Sequence, residues 1–130
     1  MIRRIGILGA GAWGTALAVI AERAGREVIL WPRRRPQAEA LAAERENRLH
    51  LPGVRLAPAI HVSAEQAPVF ESDAVLVALP AQHLREHLAG LSWPRHIPAV
   101  ICAKGIERGS LKSMPELLAE LQPDADAAVL

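Results

Sequence analysis

Tyrosine is missing from this chain, phenylalanine and cysteine occur once each, and neither sign of charge dominates. The lone Cys102 excludes an intramolecular disulfide and suits a reducing cytoplasm. It reads as a small buried hydrophobe at a strand end. Phe70 and the three tryptophans are too few and too scattered for an RNA-binding aromatic surface. A net charge of +1 leaves no global field that would draw nucleic acid or a membrane surface, so neither is expected as a partner. No apolar run approaches the length of a membrane span. Met1-Ile2-Arg3-Arg4 leads straight into an apolar segment and lacks the core and cleavage site of a signal peptide.

What is present begins with Gly9-Ala10-Gly11-Ala12-Trp13-Gly14. The apolar run Ile5-Gly6-Ile7-Leu8 precedes it, and a helix-like stretch from Thr15 to Ala24 follows. That context turns a common glycine spacing into a dinucleotide-binding signal. Gly9 is expected to permit the tight turn out of a strand, and Gly11 to let a pyrophosphate come against the backbone. Gly14 is expected to let the helix pack closely on the sheet. The opening amides of the helix lack partners within it and, with the helix dipole, favour an anion.

The 130 residues fit one domain, 51% hydrophobic and 22% charged, which is enough to bury a core. Strand-like and helix-like segments alternate, predicting a doubly wound, mainly parallel α/β sheet. Expected strands are Arg4 to Leu8, Glu27 to Trp31, Ile60 to Val62, Ala74 to Ala78 and Ala99 to Ala103, apolar runs suited to a sheet covered on both faces. The first helix is expected to bury Trp13, Leu17, Ile20, Ala21 and Ala24, with Gly25 as its C-terminal cap. A second helix is expected from Gln37 to about Glu46, and an aperiodic loop over 47–58. Leu84, Leu88 and Leu91 form one further stripe after Pro80; Leu111, Met114, Leu117, Leu118 and Leu121 form another. Ser113-Met114-Pro115-Glu116 matches a capping box. Asp126 to Leu130 reads as the start of a sixth buried strand, as if the chain were cut there.

About twenty residues past the glycine turn, a dinucleotide site meets the adenosine ribose. NAD sites usually carry a carboxylate there; this strand runs instead into Pro32-Arg33-Arg34-Arg35. Guanidinium groups bind a 2′-phosphate that a carboxylate would repel, so NADP(H) is the expected cofactor, with NAD(H) as a second possibility. The competing account is a solvated basic helix start, with charge unfavourably placed near a helix N-terminus. Lys104 follows a buried strand at the carboxyl edge of the sheet, where open α/β sheets bind ligands. An ammonium there can bind a phosphorylated ketone and stabilise a developing alkoxide; the alternative is a plain surface lysine.

Four segments now carry a family resemblance. They are Gly9-Ala10-Gly11-Ala12-Trp13-Gly14-Thr15-Ala16-Leu17-Ala18, Asn47-Arg48-Leu49-His50-Leu51-Pro52-Gly53, Ala78-Leu79-Pro80-Ala81-Gln82 and Ile101-Cys102-Ala103-Lys104-Gly105-Ile106-Glu107. In that order they closely resemble the N-terminal domain of bacterial NAD(P)-dependent glycerol-3-phosphate dehydrogenases, over essentially the whole chain. The resemblance implies a Rossmann-type domain over residues 1–130 and reversible hydride transfer between NAD(P)H and dihydroxyacetone phosphate, making sn-glycerol 3-phosphate for phospholipid synthesis. It implies cofactor contacts from the amide of Ala12 and from Trp13, Arg33 and Arg34, with Lys104 beside both nicotinamide and substrate. The small-molecule substrate is then the expected partner, and a homodimer the expected full-length assembly. Ala12 stands where the family commonly has serine, and His50 where a tyrosine is frequent. The family's Gly-Pro-Ser segment, its base lysine and its helical substrate domain are expected past Leu130. No catalytic residue is therefore expected in this chain, which alone should bind NADPH weakly and turn over no substrate.

Two other functions stay open on the residues: the cofactor half of a different two-domain NADP-dependent dehydrogenase, and a non-enzymatic nucleotide-binding module. His83 and His87, four apart, have the spacing of a helical metal pair, but no third ligand completes a site and no metal is expected. Asp73 and Glu71 read as solvated turn residues, and Trp93-Pro94 as loop packing.

Overall fold

The computed structural model describes residues 1–130. Its chain runs β1 (Arg4–Leu8), α1 (Ala12–Arg23), β2 (Glu27–Trp31), α2 (Arg35–Glu44), β3 (Glu46–Asn47), β4 (Leu51–Arg55), β5 (Ile60–Val62), β6 (Ala74–Val77), α3 (Leu84–Leu88), β7 (Ala99–Ile101), α4 (Met114–Leu121) and β8 (Ala127–Val129). Short 3-10 turns at Ala67–Glu71 and Ala81–His83 precede β6 and α3. Six strands form one parallel sheet in the order β5-β2-β1-β6-β7-β8. From β1 the chain winds one way to β2 and β5, then returns to β6 and winds the other way. The reversal point between β1 and β6 leaves a crevice at the carboxyl ends of the strands, the place where such sheets bind ligands.

Successive strand residues face opposite sides of the sheet, so each strand feeds two cores. Ile7, Val28, Leu30 and Ile60 are buried with Leu17 of α1 and Leu41 of α2. Leu8, Val75 and Val77 are buried on the other side with Leu84, Leu88 and Leu117. Fully burying one such side chain is worth about 1.5–3 kcal/mol, and the covered faces explain why the strands carry no polar alternation.

Helix α1 begins at Ala12, earlier than the pattern suggested, and its buried face is Gly14, Thr15, Leu17, Ala18, Val19 and Ala21. Trp13 and Ile20 are instead 50% and 57% exposed. The helix lies hard against the β1 turn at Gly14, where a Cβ would meet the Gly9 carbonyl, so the face turned inward is the one that carries this glycine. The C-terminal cap holds: Gly25 has φ +78°, its N–H donates to Glu22 O, and the N–H of Arg26 donates to Ala21 O. Helix α2 starts two residues early, at Arg35, because Pro36 fits the first turn and Arg34 is the extended N-cap. It stops at Glu44 where Arg45 turns left-handed (φ 56°), and the Arg45 guanidinium donates to Ala57 O and Ile60 O, both at 2.7 Å.

The expected loop over 47–58 contains an antiparallel hairpin, β3 with β4, with Glu46 opposite Arg55 and Asn47 opposite Leu51. Strand β4 carries Pro52 and Gly53, both poor strand formers, which hid it from periodicity. Leu111 is 77% exposed and precedes α4, while the capping box is present, with the Glu116 carboxylate accepting from the Ser113 N–H at 2.8 Å. Strand β8 forms as expected but is exposed throughout, since it pairs only with β7 at the sheet edge. Asp73 does more than face solvent: its carboxylate accepts from the N–H groups of Arg3 and Arg4 at 2.7 and 2.9 Å, anchoring the entry to β1. Those two amides hold its carboxyl below the ordinary range. Trp93 is buried against Phe70, edge to face, with its indole N–H on Ile97 O.

Candidate functional site

The turn between β1 and α1 is made of backbone, and each glycine in it has its own reason. Gly9 has φ +105°, and a Cβ there would sit 2.6 Å from the Ala78 carbonyl oxygen. A Cβ on Gly14 would run into the carbonyl of Gly9. Gly11 differs from both, because nothing lies within 4 Å of where its Cβ would be. That bare approach fits an anion coming onto the backbone. The N–H groups of Gly11, Ala12, Trp13 and Gly14 have no acceptor, and the first bond of the helix runs from Thr15 N–H to Gly11 O at 3.0 Å. Four unpaired donors at the positive end of a helix of 12 residues are the arrangement that binds a diphosphate.

The carbonyl of Ala10 is turned away from this space by side chains that sequence inspection passed over. It accepts from Gln37 Nε2 at 2.8 Å and from Asn47 Nδ2 at 2.9 Å. The same Asn47 nitrogen lies 2.8 Å from Thr15 Oγ1, and Asn47 is 3% exposed. Asn47 stood inside a recognisable block, yet nothing in the sequence says that the hairpin reaches back to the glycine turn.

Beside the turn, a crevice of about 510 Å³ is bordered by Ala12, Trp13, Gly14, Ala78, Pro80 and Lys104. The structure thus brings Lys104 to the glycine turn. Lys104 is exposed and makes no ion pair, which leaves its ammonium free for a ligand. Its loop is held from α3 and the 3-10 turn before it. Gln82 donates to Ile106 O and accepts from Arg108 N–H, both at 3.0 Å. Arg85 grips Glu107 through Nε and Nη2, at 2.9 and 2.8 Å to the two carboxylate oxygens, and Ser110 Oγ adds a bond at 2.5 Å. The Arg85 guanidinium, then the Ser110 hydroxyl, pull the Glu107 carboxyl from 4.5 down to about 2. Cys102, at the end of β7, is buried as expected, and burial pushes its thiol up.

The arginines lie at the end of β2, whose Trp31 carbonyl accepts the Gly9 N–H at 2.9 Å. They do not act as one cluster. Arg33 turns towards α3, with Nη1 3.8 Å from Glu86. Arg34 borders a second groove of about 420 Å³ between α2 and the hairpin, and Arg35 is paired with Glu65. Glu86 also accepts from His83 Nδ1 at 2.8 Å, which holds its carboxyl low. His87 packs edge-on against Trp31, and burial pushes its imidazole below the usual value.

Comparison with known proteins fits this geometry. The family model for the N-terminus of NAD-dependent glycerol-3-phosphate dehydrogenase matches residues 4–130. A glycerol-3-phosphate dehydrogenase [NAD(P)+] of Bradyrhizobium diazoefficiens is 49% identical over 128 residues, covering 97% of this chain and 39% of the relative. One from Rhodospirillum rubrum is 47% identical, covering all of this chain and 38% of the relative. The crystal structure of glycerol-3-phosphate dehydrogenase from Coxiella burnetii superposes with a TM-score of 0.89 at 26% identity, over 98% of this chain and 40% of that one. The chain therefore spans about two-fifths of the length of these relatives.

Proposed function

The chain belongs to the NAD-dependent glycerol-3-phosphate dehydrogenase family through that family's N-terminal part, and from this we propose that it is the NADP(H)-binding domain of an oxidoreductase interconverting sn-glycerol 3-phosphate and dihydroxyacetone phosphate. The observation that carries the proposal is the set of free amides from Gly11 to Gly14 opening onto the crevice that Lys104 borders. In it, Gly9, Gly11 and Gly14 shape the turn, the amides of Ala12 and its neighbours take the diphosphate, and Trp13 covers one wall. Arg33 and Arg34 flank the 2′-phosphate, the first leaving Glu86 to do so. NADPH, when bound, supplies the hydride.

Lys104 orients the ketone and offsets negative charge growing on its oxygen. The Arg85–Glu107 pair keeps the Lys104 loop in place while it does so. The proton-transferring lysine and the helical substrate domain belong to residues outside this chain. On this reading the whole protein works in the cytoplasm as a homodimer, acting on small phosphorylated molecules in phospholipid synthesis. The names of the relatives support both nicotinamide cofactors, and the arginines favour the phosphorylated one.

Calorimetric titration tests the assignment. NADPH should bind about ten- to a hundred-fold more tightly than NADH, and Arg33→Ala should close most of that gap. Equal binding of the two cofactors, or none of either, would overturn the cofactor assignment.

A further inference from the structure

We infer that Asn47, assisted by Gln37, is a positioning residue for the diphosphate: the hairpin and α2 together set which way the Ala10–Gly11 peptide points. A trans peptide holds its C=O and N–H on opposite sides, and the structure has no cis bonds. Two side-chain amides draw the Ala10 oxygen toward α2 and the hairpin, at 2.8 and 2.9 Å. The Gly11 N–H is thereby directed the other way. A carbonyl left free to rotate would bring its negative end toward the same anion and withdraw one donor from it.

The chemistry of the pair suits this task. A primary amide is neutral and has two donors, so it restrains a carbonyl without adding a charge that would compete for the phosphates. Asn47 is almost fully buried, and its nitrogen also meets Thr15 Oγ1 on the first turn of α1. Its Oδ1 accepts the His50 N–H at 3.2 Å. One side chain thus ties the glycine turn and the start of the helix to the tip of the hairpin, which is remote from both in sequence. Gln37 reaches the same oxygen from α2 and is only partly buried, so it is the milder of the two restraints.

This inference rests on the cofactor assignment above, and its test separates the two. The full chain, Asn47→Ala and Gln37→Ala are each titrated with NADPH and with adenosine 2′-monophosphate, which lacks the diphosphate. Loss of the Asn47 amide should weaken NADPH about ten-fold and loss of the Gln37 amide about three-fold. Adenosine 2′-monophosphate should bind every variant within about two-fold of the parent. A general loosening of the fold would instead weaken both ligands by the same factor, and that result overturns the inference. So does unchanged NADPH affinity in both variants. If Asn47→Ala does not fold, Gln37→Ala decides alone. A parent chain that binds neither ligand removes the cofactor assignment itself, an outcome distinct from the others.

Discussion

The two walls of the crevice are built by opposite means. At the glycine turn the groups proposed to meet the diphosphate are backbone amides, in a turn that the missing side chains at positions 9 and 14 permit and that the amides of Asn47 and Gln37 restrain at Ala10. At the Lys104 wall the functional group is one flexible ammonium. Its loop is held by side chains from elsewhere, Gln82 and Arg85 reaching across to the stretch from Ile106 to Ser110. The first wall cannot be altered at Gly9 or Gly14 without disturbing the fold that makes it. The second can lose the ammonium proposed to meet the ketone and keep its shape.

Lys104→Ala gives the largest functional effect that this contrast predicts. In the whole protein, kcat/KM for dihydroxyacetone phosphate should fall about a hundred- to a thousand-fold, the usual loss for one group stabilising transition-state charge. The urea midpoint should stay put, because Lys104 is exposed and holds nothing else in place. A matching loss of stability would erase the distinction between the walls.

At the glycine turn, the two alanine substitutions should behave in opposite ways. Gly14→Ala forces a methyl against the Gly9 carbonyl, backbone that cannot give way. Overpacking of that kind should cost about 3 kcal/mol in urea unfolding and take dinucleotide binding with it. Gly11→Ala meets no atom in the protein and keeps an extended φ of −72°, so the fold should be as stable as before or up to about 1 kcal/mol more so. Its methyl fills the space through which the diphosphate approaches, and NADPH affinity should drop about ten-fold. If both variants lose stability alike, Gly11 serves the turn and not the ligand.

The same contrast explains what the sequence could disclose. Glycine spacing encodes backbone demands directly, so distinct roles could be expected of Gly9, Gly11 and Gly14, and the structure has the tight turn at Gly9, the close approach at Gly14 and open space at Gly11. Strands β1, β2 and β6 were legible because both of their faces are covered, leaving continuous apolar runs. Helix α1 was located, and Leu17 and Ala21 of its expected face are buried, but Trp13 and Ile20 are not, since the buried face runs instead through Gly14, Thr15 and Ala18. The hairpin was invisible because Pro52 and Gly53 argue against a strand locally, and long-range pairing overrides them. Asn47, Gln37 and Arg85 act across 37, 27 and 22 positions of sequence, so no local pattern could announce their partners. The arginine run was legible as a cluster. Only the fold shows that Arg35 is spent on Glu65 while Arg33 and Arg34 take different directions.

The smallest effect concerns how the Lys104 loop is held, and pH reaches it. The Glu107 carboxyl is drawn down to about 2 by Arg85 and Ser110, from 4.5 when unpaired. A lowered folded-state pKa contributes stability that is fully present above pH 4.5 and is lost as pH falls towards 2. Urea unfolding should therefore show the protein weakening across that interval. Glu107→Gln cannot titrate, so it should be less stable than the parent at neutral pH and converge with it as the pH approaches the lower limit. At neutral pH its kcat/KM should fall more than its affinity for NADPH, since the diphosphate wall does not depend on Arg85. Parallel stability curves for parent and variant down to acid pH would mean that the Arg85–Glu107 pair does not fix the lysine wall. The two walls would then differ in chemistry alone, not in what holds them.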